Sequence, residues 1–335
     1  MIILTYNIPY NLISFVNEVI MNTDELYVTI GGIKQNILIT YTDVNKPILL
    51  ILHGGPGSPD RPLVNKYNND LAEDFVIVCW DQRCSGLSFT KESKKTPLTP
   101  ELMLSDLKEL VEFLLNKYSK EKLYIAGHSW GAYLGLWFAS KFPDYLYYYI
   151  GTGQGISSTL DEIEKYNFVL SQAQKRNYEK VIQRLISYGA PQSGIYPNSH
   201  NSASNYVGKL IHKYGGYIHP NNDFSTNKYF SLYLNFYRLN ILKVIGGINY
   251  SVKHLTPQVK ENDVISGIKK LEVPILLIFG ENDYICPVQT AKSWFDELVA
   301  PKKELIVIKN ASHMVNFEQP ERWNKAVKNC LNKPQ

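Results

Sequence analysis

The chain has 335 residues, more than the ~100–200 of an ordinary domain but within reach of one α/β fold enlarged by an insertion. Its 35 Lys and Arg stand against 31 Asp and Glu, and this net charge of +4 is spread along the whole length, leaving no footprint for nucleic acid. Cys79, Cys84, Cys286 and Cys330 form no C-x-x-C pair, which argues against a zinc site or a disulfide framework and for a reducing, cytoplasmic compartment.

At the amino terminus, Met1 to Met21 has no Lys or Arg and is broken by Asn7, Pro9, Asn11, Asn17 and Glu18, so it reads neither as a secretory signal nor as a membrane span. Leu12, Ile13, Val16, Val19 and Ile20 share one helical face. Without basic residues to attract anionic lipid, that face is expected to pack on the protein's own body rather than on a membrane. Residues 1–24 are therefore set apart as an N-terminal extension. Alternation in Glu25 to Thr29 and Gln35 to Thr42 predicts two antiparallel strands, with Gly31-Gly32 turning between them.

The apolar run Pro47 to Leu52 predicts a strand buried on both faces, and His53-Gly54-Gly55-Pro56-Gly57 follows at once. A glycine-rich loop at a strand's carboxyl end leaves backbone N–H groups uncovered, which is what a developing oxyanion needs. Phe75 to Trp80 predicts the next buried strand. The loop after it, Asp81-Gln82-Arg83-Cys84-Ser85-Gly86-Leu87-Ser88, is expected to hold a structural Asp81–Arg83 pair. Thr99, Pro100 and Glu101 carry helix-start signals, and Leu104, Leu107, Val111, Leu114 and Leu115 supply the predicted buried face.

Leu123 to Ala126 reads as a buried strand and Ala132 to Phe138 as an apolar helix, with Gly127-His128-Ser129-Trp130-Gly131 between them. A strand–G-x-S-x-G–helix sequence holds its serine out on a turn so sharp that only glycine fits two places before and two after. Ser129 is thus a candidate nucleophile, and the turn is expected to point the adjacent His128 away. From Gln154 to about Val264 the alternation stops, and helical stretches rich in tyrosine and phenylalanine predict a helical cap, residues 154–264, inserted after the sixth strand. Most of these aromatics are expected to be packing, with some lining a pocket that faces Ser129. Pro274 to Gly280 and Leu305 to Ile308 predict two further buried strands, with Asp283 in the loop after the first and His313 in the loop after the second. A helix around Gln319 to Leu331 closes the chain, and no internal repeat, low-complexity tract or heptad run is visible.

A lone serine is not nucleophilic at neutral pH and needs a base, an orienting acid and oxyanion donors. The order Ser129, Asp283, His313 is that of an α/β-hydrolase, and both partners fall at strand carboxyl ends, where open α/β sheets collect catalytic groups. Rival histidines are His53, His128, His200, His212, His219 and His254. The expected oxyanion donors are the N–H groups of Gly55 and Trp130. The predicted fold is therefore the α/β-hydrolase fold: a mostly parallel sheet flanked by helices, with core residues 25–153 and 265–335 and the inserted helical cap. The chemistry calls for no metal and no cofactor.

The loops at 53–57, 81–88 and 127–131 together resemble those of the prolyl aminopeptidase (proline iminopeptidase) family, whose members carry HGGPG, DQRG-x-G-x-S and G-x-SWG motifs. The likeness covers about residues 25–153 and 265–335. It implies a serine hydrolase acting on a small-molecule or short-peptide substrate, and an aminopeptidase more weakly. Two departures matter. Cys84 stands where the family has glycine, and no motif locates the acidic cap residues with which family peptidases hold a free amino group. Glu162 and Glu164, on the first cap helix, are the candidates for that role, with Gly54 as a further substrate-binding residue. The reading leans to an aminopeptidase, with a carboxylesterase or lactonase as the alternative and a hydrolase-derived ligand-binding receptor as a third. A receptor would show a damaged triad or oxyanion loop, and both motifs are intact.

Overall fold

The apolar runs assemble into one eight-stranded sheet. The computed structural model describes residues 21–261 and 265–331, so the predicted helix in residues 1–20 and the end of the cap at residues 262–264 lie outside the described residues. The strands are β1 (Asn22–Ile30), β2 (Ile33–Tyr41), β3 (Ile48–Leu52), β4 (Val76–Asp81), β5 (Leu123–His128), β6 (Leu146–Thr152), β7 (Ile275–Gly280) and β8 (Lys303–Ile308). Their spatial order is β1-β2-β4-β3-β5-β6-β7-β8. β2 runs antiparallel to both β1 and β4, and every other pairing is parallel. At the first turn Gly31 and Gly32 have φ of 56° and 74°, the left-handed region that favours glycine.

The chain leaves β3 for β4 on one side and returns to β5 on the other, so β3 and β5 are neighbours whose following loops diverge. Such a switch point opens a crevice at the strands' carboxyl ends. The register pairs Leu52 with Gly127, which sets the loop at 53–57 beside the elbow at 127–131.

Helices cover both faces of the sheet: α1 (Arg61–Tyr67), α2 (Pro100–Tyr118) and α3 (Trp130–Lys141) in the first half, then five between β6 and β7. These five are α4 (Ser158–Lys175), α5 (Glu179–Tyr188), α6 (His200–Lys213), α7 (Thr226–Tyr237) and α8 (Ile241–Glu261). After β7 come α9 (Val288–Glu297), α10 (Val315–Glu318) and α11 (Pro320–Lys328). One face of the sheet packs on α2, α3 and α9 through residues such as Leu107, Leu134 and Ala291. The opposite face packs on α1, α10 and α11 through Leu63, Phe317 and Trp323. Tyr166, Val169, Leu185, Val207 and Ile211 give α4, α5 and α6 a small core of their own. No helix among the described residues is long and apolar enough to cross a membrane.

Three expectations need correction. β8 is the sheet's edge and half-exposed along most of its length, because nothing pairs beyond it. The buried face of α2 is rotated slightly: Met103 and Leu110 are buried while Leu104 is only half-buried. Asp81 and Arg83 do not pair with each other. Asp81 holds Arg61 at 3.0 Å and Arg83 holds Asp106 at 2.6 Å, so the loop at 81–88 is clamped by two separate buried ion pairs. Neighbouring residues on a turn point in different directions, and each reached a charge far away in sequence.

Candidate active site

The elbow is sterically forced. A Cβ on Gly127 would lie 2.3 Å from the Gly131 carbonyl oxygen, and one on Gly131 would lie 2.0 Å from the Leu52 carbonyl oxygen. Ser129 adopts φ 54° and ψ −115°, a conformation rare for a side-chain-bearing residue, and the Thr152 carbonyl accepts its N–H at 2.9 Å. Trp130 opens α3, where the first N–H groups have no intrahelical acceptor.

Asp283 and His313 meet from their separate loops. His313 Nδ1 is 2.9 Å from Asp283 Oδ2, with both side chains almost completely buried. Asp283 Oδ1 accepts the N–H groups of Ile285 and Cys286, each at 2.9 Å, so the carboxylate is fixed from both ends. Gly153 makes room for the pair: at φ 55° a Cβ there would stand 3.0 Å from the His313 ring and 3.2 Å from Asp283 Oδ2. Glu318 braces the histidine loop, its Oε1 accepting the N–H groups of Ser312 at 3.0 Å and Met314 at 3.1 Å on either side of His313. Sequence reasoning missed both residues. Gly153 carried a faint signal in the Gly151-Thr152-Gly153-Gln154 run, while Glu318 looked like an ordinary helix residue.

Of the rival bases, His53 and His128 are buried near Ser129 but neither has a carboxylate partner. Burial pushes His53 down to about 4, and burial together with the neighbouring His313 pushes His128 down to about 3, so both stay neutral. The turn does not send His128 away as expected. Its ring lies 4.8 Å from that of His313, and its Nε2 is 2.9 Å from the His313 carbonyl oxygen. His128 therefore supports the backbone of the candidate base.

Two chambers meet at Ser129, Gly55 and Ile285. The smaller, about 130 Å³, is bounded by His313, Gly54, Asp60 and the aromatic side chains of Tyr217, Tyr229, Tyr233 and Phe317. The larger, about 200 Å³, is bounded by Trp130, Tyr133, Asp161, Glu162, Lys165 and Cys286. Gly54 sits close under Ser129, since a Cβ on it would be 3.2 Å from Ser129 Cβ. Gly55 has φ 116° and borders both chambers.

Residues 47–320 match the family described as having the alpha/beta hydrolase fold. The chain belongs to the α/β-hydrolase family. It is 32% identical over 301 residues to a probable aminopeptidase, YbaC, of Bacillus subtilis, covering 87% of this chain and 91% of that one. It is 25% identical over 310 residues to a proline iminopeptidase of Thermoplasma volcanium, covering 92% and 96% of the two chains. Among solved structures, the proline iminopeptidase-related protein of Thermus thermophilus shares its fold with a TM-score of 0.62 at 18% identity, covering 93% of this chain and 98% of that one.

In this α/β hydrolase Cys84 is fully buried. Cys84 takes φ 61°, a conformation natural to glycine, and turns its thiol away from Ser129 onto the Ser93 carbonyl at 3.1 Å. The cap acids divide. Glu162 reaches the larger chamber of the hydrolase but is already paired with Lys165 at 3.4 Å, whereas Glu164 is half-buried and borders neither chamber. Asp161, raised to about 6 by burial against the pull of Lys165, accepts a hydrogen bond from Thr290 Oγ1 at 2.6 Å. Among the described residues no group of three His, Cys, Asp or Glu could hold a metal ion.

Proposed function

We propose that the protein is a serine hydrolase that acts on small amides or esters through an acyl-enzyme, and that it removes the amino-terminal residue from short peptides. What supports the serine mechanism is the convergence of the positive-φ Ser129 elbow with a histidine whose Nδ1 is held by a buried aspartate. In this mechanism Ser129 Oγ attacks the scissile carbonyl as His313 Nε2 takes its proton, and Asp283 accepts Nδ1–H and fixes the ring. The N–H groups of Gly55 and Trp130 donate to the oxyanion. His313 then protonates the leaving amine or alcohol, and water attacks the acyl-enzyme by the same route.

Two chambers joined at the nucleophile suit a substrate with a group on each side of the scissile bond. The preference for peptides rests on relatives named probable aminopeptidase and proline iminopeptidase, which align over most of the chain. A substrate panel tests it. Amino-terminal prolyl amides should be cleaved with kcat/KM at least about a hundredfold above their N-acetylated counterparts, the scale of one broken buried charge contact. Indifference to acetylation, together with fast turnover of short acyl esters, would move the assignment to a carboxylesterase or lactonase.

A further inference from the structure

The loop between β3 and α1 carries a buried carboxylate that the fold satisfies only in part. Asp60 is only 6% exposed, yet its Oδ2 has no hydrogen-bond partner. The ordinary use of aspartate at this position is to cap a helix, since Asp60 immediately precedes α1. Its side chain accepts no N–H from that helix. The adjacent Arg61 does not neutralise it either, being engaged by Asp81 and Glu25, each at 3.0 Å.

The surroundings deepen the imbalance. Asp60 borders the smaller chamber, where Tyr217, Tyr229, Tyr233 and Phe317 present aromatic surface. Two nearby hydroxyls are committed elsewhere, because Tyr229 donates to Tyr233 Oη at 3.1 Å and Tyr233 donates to the Pro59 carbonyl. A buried carboxylate with an unpartnered oxygen is costly, and aromatic faces are poor company for an anion. Both features suit a cation, which a carboxylate pairs with and ring faces attract.

We infer that Asp60, with the ring faces of Tyr229 and Tyr233, binds the ammonium group of the substrate in the smaller chamber beside Ser129 and His313. This deepens the aminopeptidase reading and rests on it. The larger chamber is a weaker anchor, because Glu162 is already paired with Lys165 and Asp161 already accepts from Thr290. Burial first, with Asp81 adding to it, holds the Asp60 carboxyl at about 7 against a backbone N–H hydrogen bond at Asp60 and the weaker pull of Arg61. A bound ammonium supplies the missing countercharge.

The test is competition against fluorophosphonate labelling of the full-length protein at about pH 8, with prolinamide as the cationic probe and N-acetylprolinamide and cyclopentanecarboxamide as neutral ones. In wild type, prolinamide should protect at concentrations at least about tenfold below either neutral probe. Asp60→Asn should reduce that preference to within about threefold while remaining open to the label, and Asp60→Glu should recover part of it. Equal protection by all three probes in wild type, or an undiminished preference in Asp60→Asn, overturns the inference. Should Asp60→Asn not fold, the Asp161→Asn/Glu162→Gln double variant decides: a retained preference upholds Asp60, and a lost one transfers the anchor to the larger chamber. Loss of the serine mechanism itself would look different, since the label would then persist in Ser129→Ala.

Discussion

Gly153 shows how little space the histidine–aspartate pair has. A methyl group there would press on the His313 ring at 3.0 Å while forcing a side chain onto φ 55°. Gly153→Ala is therefore expected to lower kcat by about a hundredfold in a protein that still folds, the usual scale for displacing a catalytic group by a fraction of an ångström to an ångström. Circular dichroism beside steady-state kinetics checks it, and unchanged kcat would contradict the steric argument. Asp60 offers a prediction of the opposite sign for stability. Its folded value of about 7 lies above the ordinary 3.8, so ionising it penalises the native state increasingly as pH rises between these values and fully above about 7. The charged and titratable groups around it, Arg61, Asp81, Cys79, Tyr229, Tyr233 and Tyr237, leave that penalty in place. Asp60→Asn should stabilise the free protein by about 2 kcal/mol near pH 8 and by less toward pH 5, as urea midpoints would show. An advantage that grows toward acid would contradict this sign.

The short segment Gly215 to Tyr217 after α6 ties the helices between β6 and β7 to the loops that carry Asp283 and His313. The Gly216 carbonyl accepts the Tyr284 N–H at 3.0 Å, next to Asp283, and the Tyr217 carbonyl accepts the His313 N–H at 3.1 Å. Glu318 makes a second tie, its Oε2 accepting from the His219 N–H at 2.7 Å and Asn222 Nδ2 at 2.5 Å while its Oε1 holds the histidine loop. All four partners are donors, so a glutamine amide has no orientation that suits them. Glu318→Gln should cost about 1–3 kcal/mol of stability and at least about tenfold in kcat/KM, because both the cap and His313 loosen. A thermal melt with kinetics tests this, and an unaltered kcat/KM would make the brace purely structural. The elbow, the glycine-rich loop and the strand before Asp283 were legible because each combines an apolar run with glycine at a turn, and the strand before His313 was legible from its apolar run alone. Glu318, Gly153 and Asp60 were not, since what they do depends on partners brought close by the fold rather than by the chain. The pairings of Asp81 and Arg83 escaped for the same reason.

The whole molecule is a sheet that gathers loops at one edge, with five helices inserted between β6 and β7. The reversal of strand order at β3 and β5 brings the glycine-rich loop to the elbow, and β7 and β8 deliver Asp283 and His313 to the same edge. The segment between β6 and β7 contributes Tyr217, Tyr229, Tyr233, Asp161 and Glu162 to the two chambers around Ser129. The proposed mechanism stands or falls on Ser129 as the nucleophile. Intact-protein and peptide mass spectrometry after fluorophosphonate treatment decides this: a single adduct on Ser129 is expected, with no adduct in Ser129→Ala and a loss of about 10⁴-fold or more in kcat for that variant. An adduct of equal yield in Ser129→Ala, or turnover that survives the substitution, would contradict it.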